Sequence, residues 1–372
     1  MSEVSNNYFE ISRGNVSNVV PWPVNGFEKA WDSARQRDRG PGASPRRTIS
    51  VIGLGYVGTV SMACFSSLGH SVIGVDTDVT KVDTLNLGLA PMVEKELPEL
   101  IETSRLEDRL SATTDCRAAI FDSEITMVSV GTPSSADGSC NLEFLFEVTR
   151  EIGLALKDKS DFHLLMYRST VPPTTTREKL IPILEQASGK VCGEHFGVVF
   201  NPEFLRESTA VEDFRHPPKT VVGASDEYSA QLALSLYEEM DGPKISTTIE
   251  CAEFVKYIDN TWHALKVSFG NEVGRICKAA GVDSHDVMDI FIQDTKLNIS
   301  SHYLKPGFAF GGSCLPKDVR GMSHLAGKLN VDIPIIDSIN ESNDSHLTHA
   351  ESMLESFDSE GLGIVGLTFK PG

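Results

Sequence analysis

The sequence predicts an α/β protein: a doubly wound parallel sheet first, then a helical domain built on one long helix. Three observations carry that expectation. Short β-branched runs alternate with helical patterns from Thr48 to about residue 248. The first of these runs enters a glycine-rich turn, Gly53-Leu54-Gly55-Tyr56-Val57-Gly58. From Glu250 to Ala280 no proline interrupts a helical pattern. Alternating strand and helix signals read as βαβ units whose crossover helices cover both faces of a sheet.

Composition narrows the function classes. A chain of 372 residues has room for two or more domains. Its net charge of -19 argues against nonspecific nucleic-acid binding, which needs clustered Lys and Arg. A phosphorylated ligand must then be met locally, by helix N-termini and a few placed cations. Seven cysteines, an odd number without framework spacing, point to reduced thiols and a cytoplasmic location. The N-terminus lacks an apolar h-region and no run of 18 apolar residues occurs, so neither a signal peptide nor a membrane span is expected. No metal is expected.

Residues 1–47 differ from the rest. They carry seven Lys/Arg against five Asp/Glu, the reverse of the overall balance. They read as a flexible extension, with a short helix at residues 26–37 that carries Phe27 and Trp31.

Thr48-Ile49-Ser50-Val51-Ile52 is the first strand, and a helical stretch from Thr59 to Leu68 follows the turn. A second strand, Ser71 to Val75, ends at Asp76, 18 residues beyond Gly58. In this strand–turn–helix–strand–acid context, G-x-G-x-x-G reads as a Rossmann-like dinucleotide-binding unit. Gly53 makes the tight turn, Gly55 admits the pyrophosphate, and Gly58 lets helix and strand approach. Asp76 would accept hydrogen bonds from the adenosine ribose and repel a 2′-phosphate, which favours NAD over NADP. Lys81 lies on the next helix, after Asp78.

Three further apolar strands follow, near Ile125–Val130, Leu164–Arg168 and Phe196–Phe200. Their carboxyl ends carry Thr132, then Ser169 and Thr170, then Glu203 and Glu207, where open α/β sheets bind ligands. The helix from Glu250 to Ala280 would span about 46 Å, with Gly281 as its C′ residue. That length suits a link between domains and a dimer surface. Lys256, Asn260, His263 and Asn271 fall close to one face, either a solvated stripe or the lining of a site. Asp283 and Ser284 cap another helix, through about Gln293. Leu297 to Phe310 reads as a loop that closes over a ligand.

In Gly311-Gly312-Ser313-Cys314-Leu315-Pro316-Lys317-Asp318, Pro316 suits the first turn of a helix. Cys314 then precedes that N-terminus, where the helix dipole and Lys317 favour a thiolate. It is the candidate nucleophile. Gly363 to Phe369 reads as a new parallel strand, opening a second doubly wound domain that the chain lacks.

These motifs resemble the UDP-glucose/GDP-mannose dehydrogenase family, with Val-Gly-Thr-Pro and Asn-Pro-Glu-Phe-Leu-Arg-Glu among the shared stretches. Arg168-Ser169-Thr170-Val171 and Trp262-His263-Ala264 are most similar to its GDP-mannose branch. The resemblance implies two NAD-dependent oxidations of a sugar C6 alcohol to a carboxylate, through a thiohemiacetal and a thioester on Cys314. It implies that Lys256 and Asn260 stabilise oxyanions, Asp318 helps activate water, and Glu207 assists proton transfer. It places Tyr56, Val57, Lys81, Thr132 and Lys317 beside the cofactor. Glu203, Phe204, Leu205, Arg206, His263, Asn271, Tyr303, Gly311 and Lys370 fall on the substrate side. A homodimer acting on a nucleotide sugar is the expected assembly. The alternatives are the UDP-glucose branch and a truncated subunit that binds NAD without turnover. Thr174 stands where the family has glycine, and Ser301 and His302 where the GDP-mannose branch tends to have Arg and Tyr. The expected domains are the extension at 1–47, the NAD-binding domain at 48–248, a helical domain at 249–345, and the start of a further domain at 346–372.

Overall fold

The computed structural model describes residues 46–304, 307–311 and 314–355, with Gly361 and Gly363. The helix expected at 26–37, Lys305, Pro306, Gly312, Ser313, the strand expected at 363–369 and Lys370 lie outside the described residues. The chain divides into two compact units, one ending at Lys256 and one beginning at Tyr257.

The first unit is an eight-stranded sheet in the order β3-β2-β1-β4-β5-β6-β7-β8. Its strands are β1 (Thr48–Ile52), β2 (Ser71–Val75), β3 (Leu110–Thr113), β4 (Ile125–Val128), β5 (His163–Tyr167), β6 (Phe196–Phe200), β7 (Thr220–Ala224) and β8 (Lys244–Thr248). All neighbours pair parallel except β6 with β7. Every residue of β4, β5 and β6 is buried, as central parallel strands covered on both faces require. Along β5, Leu164 and Met166 enter one apolar core and Leu165 and Tyr167 the other, following the two-residue period of a strand.

Helices α1 (Tyr56–Ser67), α2 (Val79–Asn86), α3 (Leu97–Leu106), α4 (Cys116–Phe121), α5 (Glu143–Lys157), α6 (Ile181–Ser188), α7 (Ala210–Arg215) and α8 (Glu227–Ser235) connect the strands. The expected extension needs one correction. Arg47 belongs to the fold: its N–H donates to His70 Nδ1 at 3.1 Å and its guanidinium pairs with Glu124 at 3.1 Å.

Helix α9 (Ile249–Ala280) begins in the first unit and continues into the second, ending at Gly281 with φ +71°. The second unit adds α10 (Ser284–Phe291), α11 (Leu315–Lys328) and α12 (Pro334–Glu355). Ile276, Ala326, Ile333 and Ile336 form its small core. Helix α12 runs unbroken through residue 346, where the last expected domain begins.

Three buried carboxylates hold chain segments at helix N-termini, where backbone N–H groups lack intrahelical partners. Glu94 accepts from the N–H groups of Ser208 and Ala210 before and at the start of α7. Glu253 accepts from Thr174 and Thr176 N–H, at 2.6 and 2.9 Å, where the turn leading into α6 begins. Glu272 accepts from Ile335 and Ile336 N–H at 2.9 and 3.0 Å, at the first turn of α12.

Candidate active site

The glycine-rich turn lies between β1 and α1, at the point where the sheet order reverses between β1 and β4. Gly53 has φ +92°, a left-handed conformation that glycine adopts without penalty, and its N–H donates to Val75 O at 2.8 Å. A Cβ on Gly53 would lie 2.8 Å from Ser129 O, and one on Gly58 would collide with the Gly53 carbonyl oxygen. Gly55 is different: nothing lies within 4 Å of the place where its Cβ would be. The turn is therefore packed behind and open in front, a cradle at the N-terminus of α1 suited to an anion. Tyr56 and Val57 open that helix.

Asp76 follows β2 directly. Its carboxylate accepts from Leu54 N–H at 2.8 Å, Asp78 N–H at 2.9 Å and Lys81 Nζ at 3.2 Å. Burial pushes this carboxyl up, but the two N–H groups and the Lys81 ammonium outweigh it and hold the group below its ordinary value. Asp76 thus stays ionised, with lone pairs to spare for ribose hydroxyls. Thr132, beyond β4, donates its hydroxyl to Thr170 O at 2.7 Å, which ties the loops after β4 and β5 together.

The loop after β6 holds the next group of residues. Asn201 donates to Val221 O at 2.8 Å and accepts from Arg168 Nη1 at 2.9 Å and Tyr237 Oη at 2.6 Å, all buried. This fixes the strand end ahead of Glu203. Lys256 then reaches back from α9 to the Glu203 carboxylate and to its carbonyl oxygen, each at 2.7 Å. The Lys256 ammonium is largely buried and also lies 5.8 Å from the centre of the Phe204 ring, while Leu205 N–H donates to Glu203 at 2.8 Å. Arg206 forms a two-pronged pair with Asp213, at 2.6 and 3.1 Å. Glu207 is exposed beside it, and Ser208 has φ +75°.

In the second unit Cys314 is exposed and is the N-cap residue of α11, with Pro316 in the first turn. Asp318 N–H donates to Cys314 O at 2.9 Å, and Lys317 pairs with Asp318 at 3.2 Å. Asn343 of α12 clamps Phe310, accepting from its N–H at 2.8 Å and donating to its carbonyl at 3.1 Å. Tyr303, Phe308, Phe310 and Leu315 line a cavity of about 770 Å³ together with His346 and His349. Gly311 is exposed beside that loop, and Asn260, His263 and Asn271 are exposed on α9.

Residues 47–241 match the NAD-binding domain of the UDP-glucose/GDP-mannose dehydrogenase family, and residues 250–345 match its central domain. The chain belongs to this family. GDP-mannose 6-dehydrogenase of Pseudomonas aeruginosa is 48% identical over 324 residues, a match spanning 87% of this chain and 74% of the relative. The UDP-glucose 6-dehydrogenase of Haloferax volcanii is 39% identical over 332 residues, spanning 87% and 76%. Among solved structures, a ternary complex of GDP-mannose dehydrogenase from P. aeruginosa superposes with a TM-score of 0.86, covering 87% of this chain and 74% of that one. A UDP-glucose dehydrogenase from Pyrobaculum islandicum is 36% identical with a TM-score of 0.67, covering 86% and 72%.

The first unit is thus the NAD-binding domain of a UDP-glucose/GDP-mannose dehydrogenase, and the open face at Gly55 with the acid at Asp76 fits that cofactor. Sequence reasoning missed Glu94, Asn201 and Asp213. Asn201 stood inside a family motif and could have been found there; nothing local marks Glu94 or Asp213 as structural carboxylates.

Proposed function

We propose that this chain oxidises the C6 alcohol of GDP-mannose to the carboxylate in two NAD-dependent steps. The observation that carries this reading is its similarity to GDP-mannose 6-dehydrogenases, 48% identical against 39% for the UDP-glucose relative over comparable lengths. NAD supplies the hydride acceptor for both oxidations. Gly53, Gly55, Tyr56, Val57 and Gly58 would hold its pyrophosphate, Asp76 its ribose, and Lys81, Thr132 and Lys317 its surroundings.

The remaining chemistry falls to side chains of this chain. Oxidation of the alcohol releases a proton, for which Glu207 is the acceptor in this reading. The Cys314 thiolate adds to the aldehyde carbon, forming a C–S bond and a thiohemiacetal. Oxidation of that adduct gives a thioester, and water activated by Asp318 cleaves it to the carboxylate and the free thiolate. A covalent sulfur intermediate divides aldehyde-to-acid oxidation into two easier steps. Lys256 and Asn260 stabilise the oxyanions, and Lys256 suits this because Glu203 already fixes its ammonium. Glu203, Phe204, Leu205, Arg206, His263, Asn271, Tyr303, Gly311 and Lys370 would contact the nucleotide sugar.

Phe254, Ile258 and Trp262 recur at four-residue spacing along α9 and are 53%, 61% and 40% exposed in the single chain. This apolar stripe supports dimerisation through the long helix. The substrate reading is tested by NADH formation from GDP-mannose and UDP-glucose at equal concentrations. At least tenfold faster turnover of GDP-mannose is expected; the opposite order would overturn it.

A further inference from the structure

Glu94 has no part in the reaction just described, yet its carboxylate is almost wholly buried, at 4% exposure. It accepts a short hydrogen bond from the Tyr56 hydroxyl, and bonds from Ser208 N–H at 2.9 Å and Ala210 N–H at 3.1 Å. Ser208 N–H also lies 3.2 Å from Tyr56 Oη. One carboxylate therefore joins the dinucleotide turn to the segment that immediately follows Glu207. A second tie on this segment is Asp213, which accepts from Arg206 N–H at 2.9 Å and from Thr209 Oγ1 at 3.1 Å. Glu207 sits between the two ties and is itself exposed.

The conformation of the segment needs such a tie. Ser208 is held at φ +75°, a region that a serine adopts only where its surroundings impose it. The three groups around Glu94 are all donors, and its two carboxyl oxygens accept from all three. Burial, then the bond to Glu94, push the Tyr56 hydroxyl up to about 12, so Tyr56 remains a donor across the working range.

We propose that Glu94 is a positioning residue: its carboxylate latches residues 206–210 to the glycine-rich turn and thereby sets the backbone from which Glu207 acts. The proposal rests on the reading of Glu207 as the proton-transfer group. Glu94→Gln keeps the volume but presents an amide donor to a ring of donors, so at least one of the three bonds is lost.

The test uses the full chain as wild type, Glu94→Gln, Glu207→Gln and the double variant. The readouts are steady-state NADH formation from GDP-mannose, NAD affinity, thermal midpoint, and hydrogen exchange of peptides covering 206–210. Expected for Glu94→Gln are a tenfold or larger fall in kcat, NAD affinity within threefold of wild type, and faster exchange at the Ser208 and Ala210 amides. In the Glu207→Gln background the same change should cost less than a further twofold, because the two residues act as one unit. Equal fractional losses in both backgrounds would mean that Glu94 merely supports the fold, and would overturn the proposal. If Glu94→Gln does not fold, Glu94→Asp, which draws the carboxylate back by one methylene, takes its place in the same comparison. If wild type makes no NADH from GDP-mannose, the substrate reading fails by itself. Exchange then decides the latch: acceleration at 208 and 210 supports it, and unchanged exchange overturns it.

Discussion

Replacing Gly55 by valine separates cofactor binding from folding. Gly55 has φ -73° and ψ -165°, extended backbone that any residue adopts. Its missing side chain faces open space, with nothing within 4 Å. The free chain should therefore accept valine without strain, and the stiffer residue lowers the entropy of the unfolded state slightly. The first intrahelical bond of α1 runs from Thr59 N–H to Gly55 O at 3.0 Å, so the N–H groups of Tyr56, Val57 and Gly58 remain for a ligand. A valine side chain would keep a pyrophosphate from reaching them. Losing two charge-assisted bonds, each worth roughly 1.5–3 kcal/mol, weakens NAD binding by about 3–6 kcal/mol, or roughly 10²- to 10⁴-fold. Calorimetric titration with NAD, beside thermal unfolding of the free protein, measures both quantities. The expected result is an unchanged midpoint with NAD affinity reduced at least a hundredfold. Wild-type affinity in Gly55→Val would refute the assignment of the turn.

Other perturbations follow from the same geometry. Gly58→Ala should destabilise the free protein by about 1–3 kcal/mol or more, because the new methyl meets the Gly53 carbonyl and backbone must move; denaturant unfolding checks this. Thr174 sits at φ +74°. Thr174→Gly removes about 1–2 kcal/mol of strain and adds roughly 0.5–1 kcal/mol of unfolded-state entropy, a net gain of up to about 1.5 kcal/mol and a raised thermal midpoint. Glu272→Ala strands two N–H groups at the start of α12 and should cost about 2 kcal/mol or more. His163 is fully buried, and burial, then the Lys159 charge, push it down to about 3 from the ordinary 6.5. The unfolded chain therefore takes up a proton that the folded chain refuses as pH falls from about 6.5 toward 3, and stability declines over that window. His163→Gln should flatten the midpoint-against-pH curve there; an unchanged slope would contradict the assignment.

Much of the fold is legible in the sequence because its signals are local. Apolar runs announce β4, β5 and β6, and the glycine spacing announces the turn. Of the missed strands, β7 carries the same buried apolar pattern and was legible, whereas β3 and β8 lie outside that signal. In β8, Lys244–Thr248, four of five residues are exposed at the edge of the sheet, and in β3 the pattern is four residues long and partly polar. Edge strands carry such residues because one side is unpaired. The local geometry at Cys314 was legible for a related reason, since a proline in the first turn fixes a helix start by itself. Glu94, Glu253 and Glu272 were not legible. Glutamate in a sequence reads as surface, and burial of these three depends on backbone donors distant in the chain: Ser208 and Ala210, Thr174 and Thr176, Ile335 and Ile336. The pairing of Arg206 with Asp213 likewise arises from a loop folding back onto α7, since Arg206 itself lies outside the helix.

The proposed activity is the oxidation of GDP-mannose in two steps through Cys314. The most direct test counts NADH released per GDP-mannose consumed by the purified chain, beside Cys314→Ala. The account predicts two NADH per sugar nucleotide, a GDP-linked uronate as product, and no uronate from the variant. An absence of NADH in a sample shown to bind NAD, or full conversion by Cys314→Ala, would contradict it.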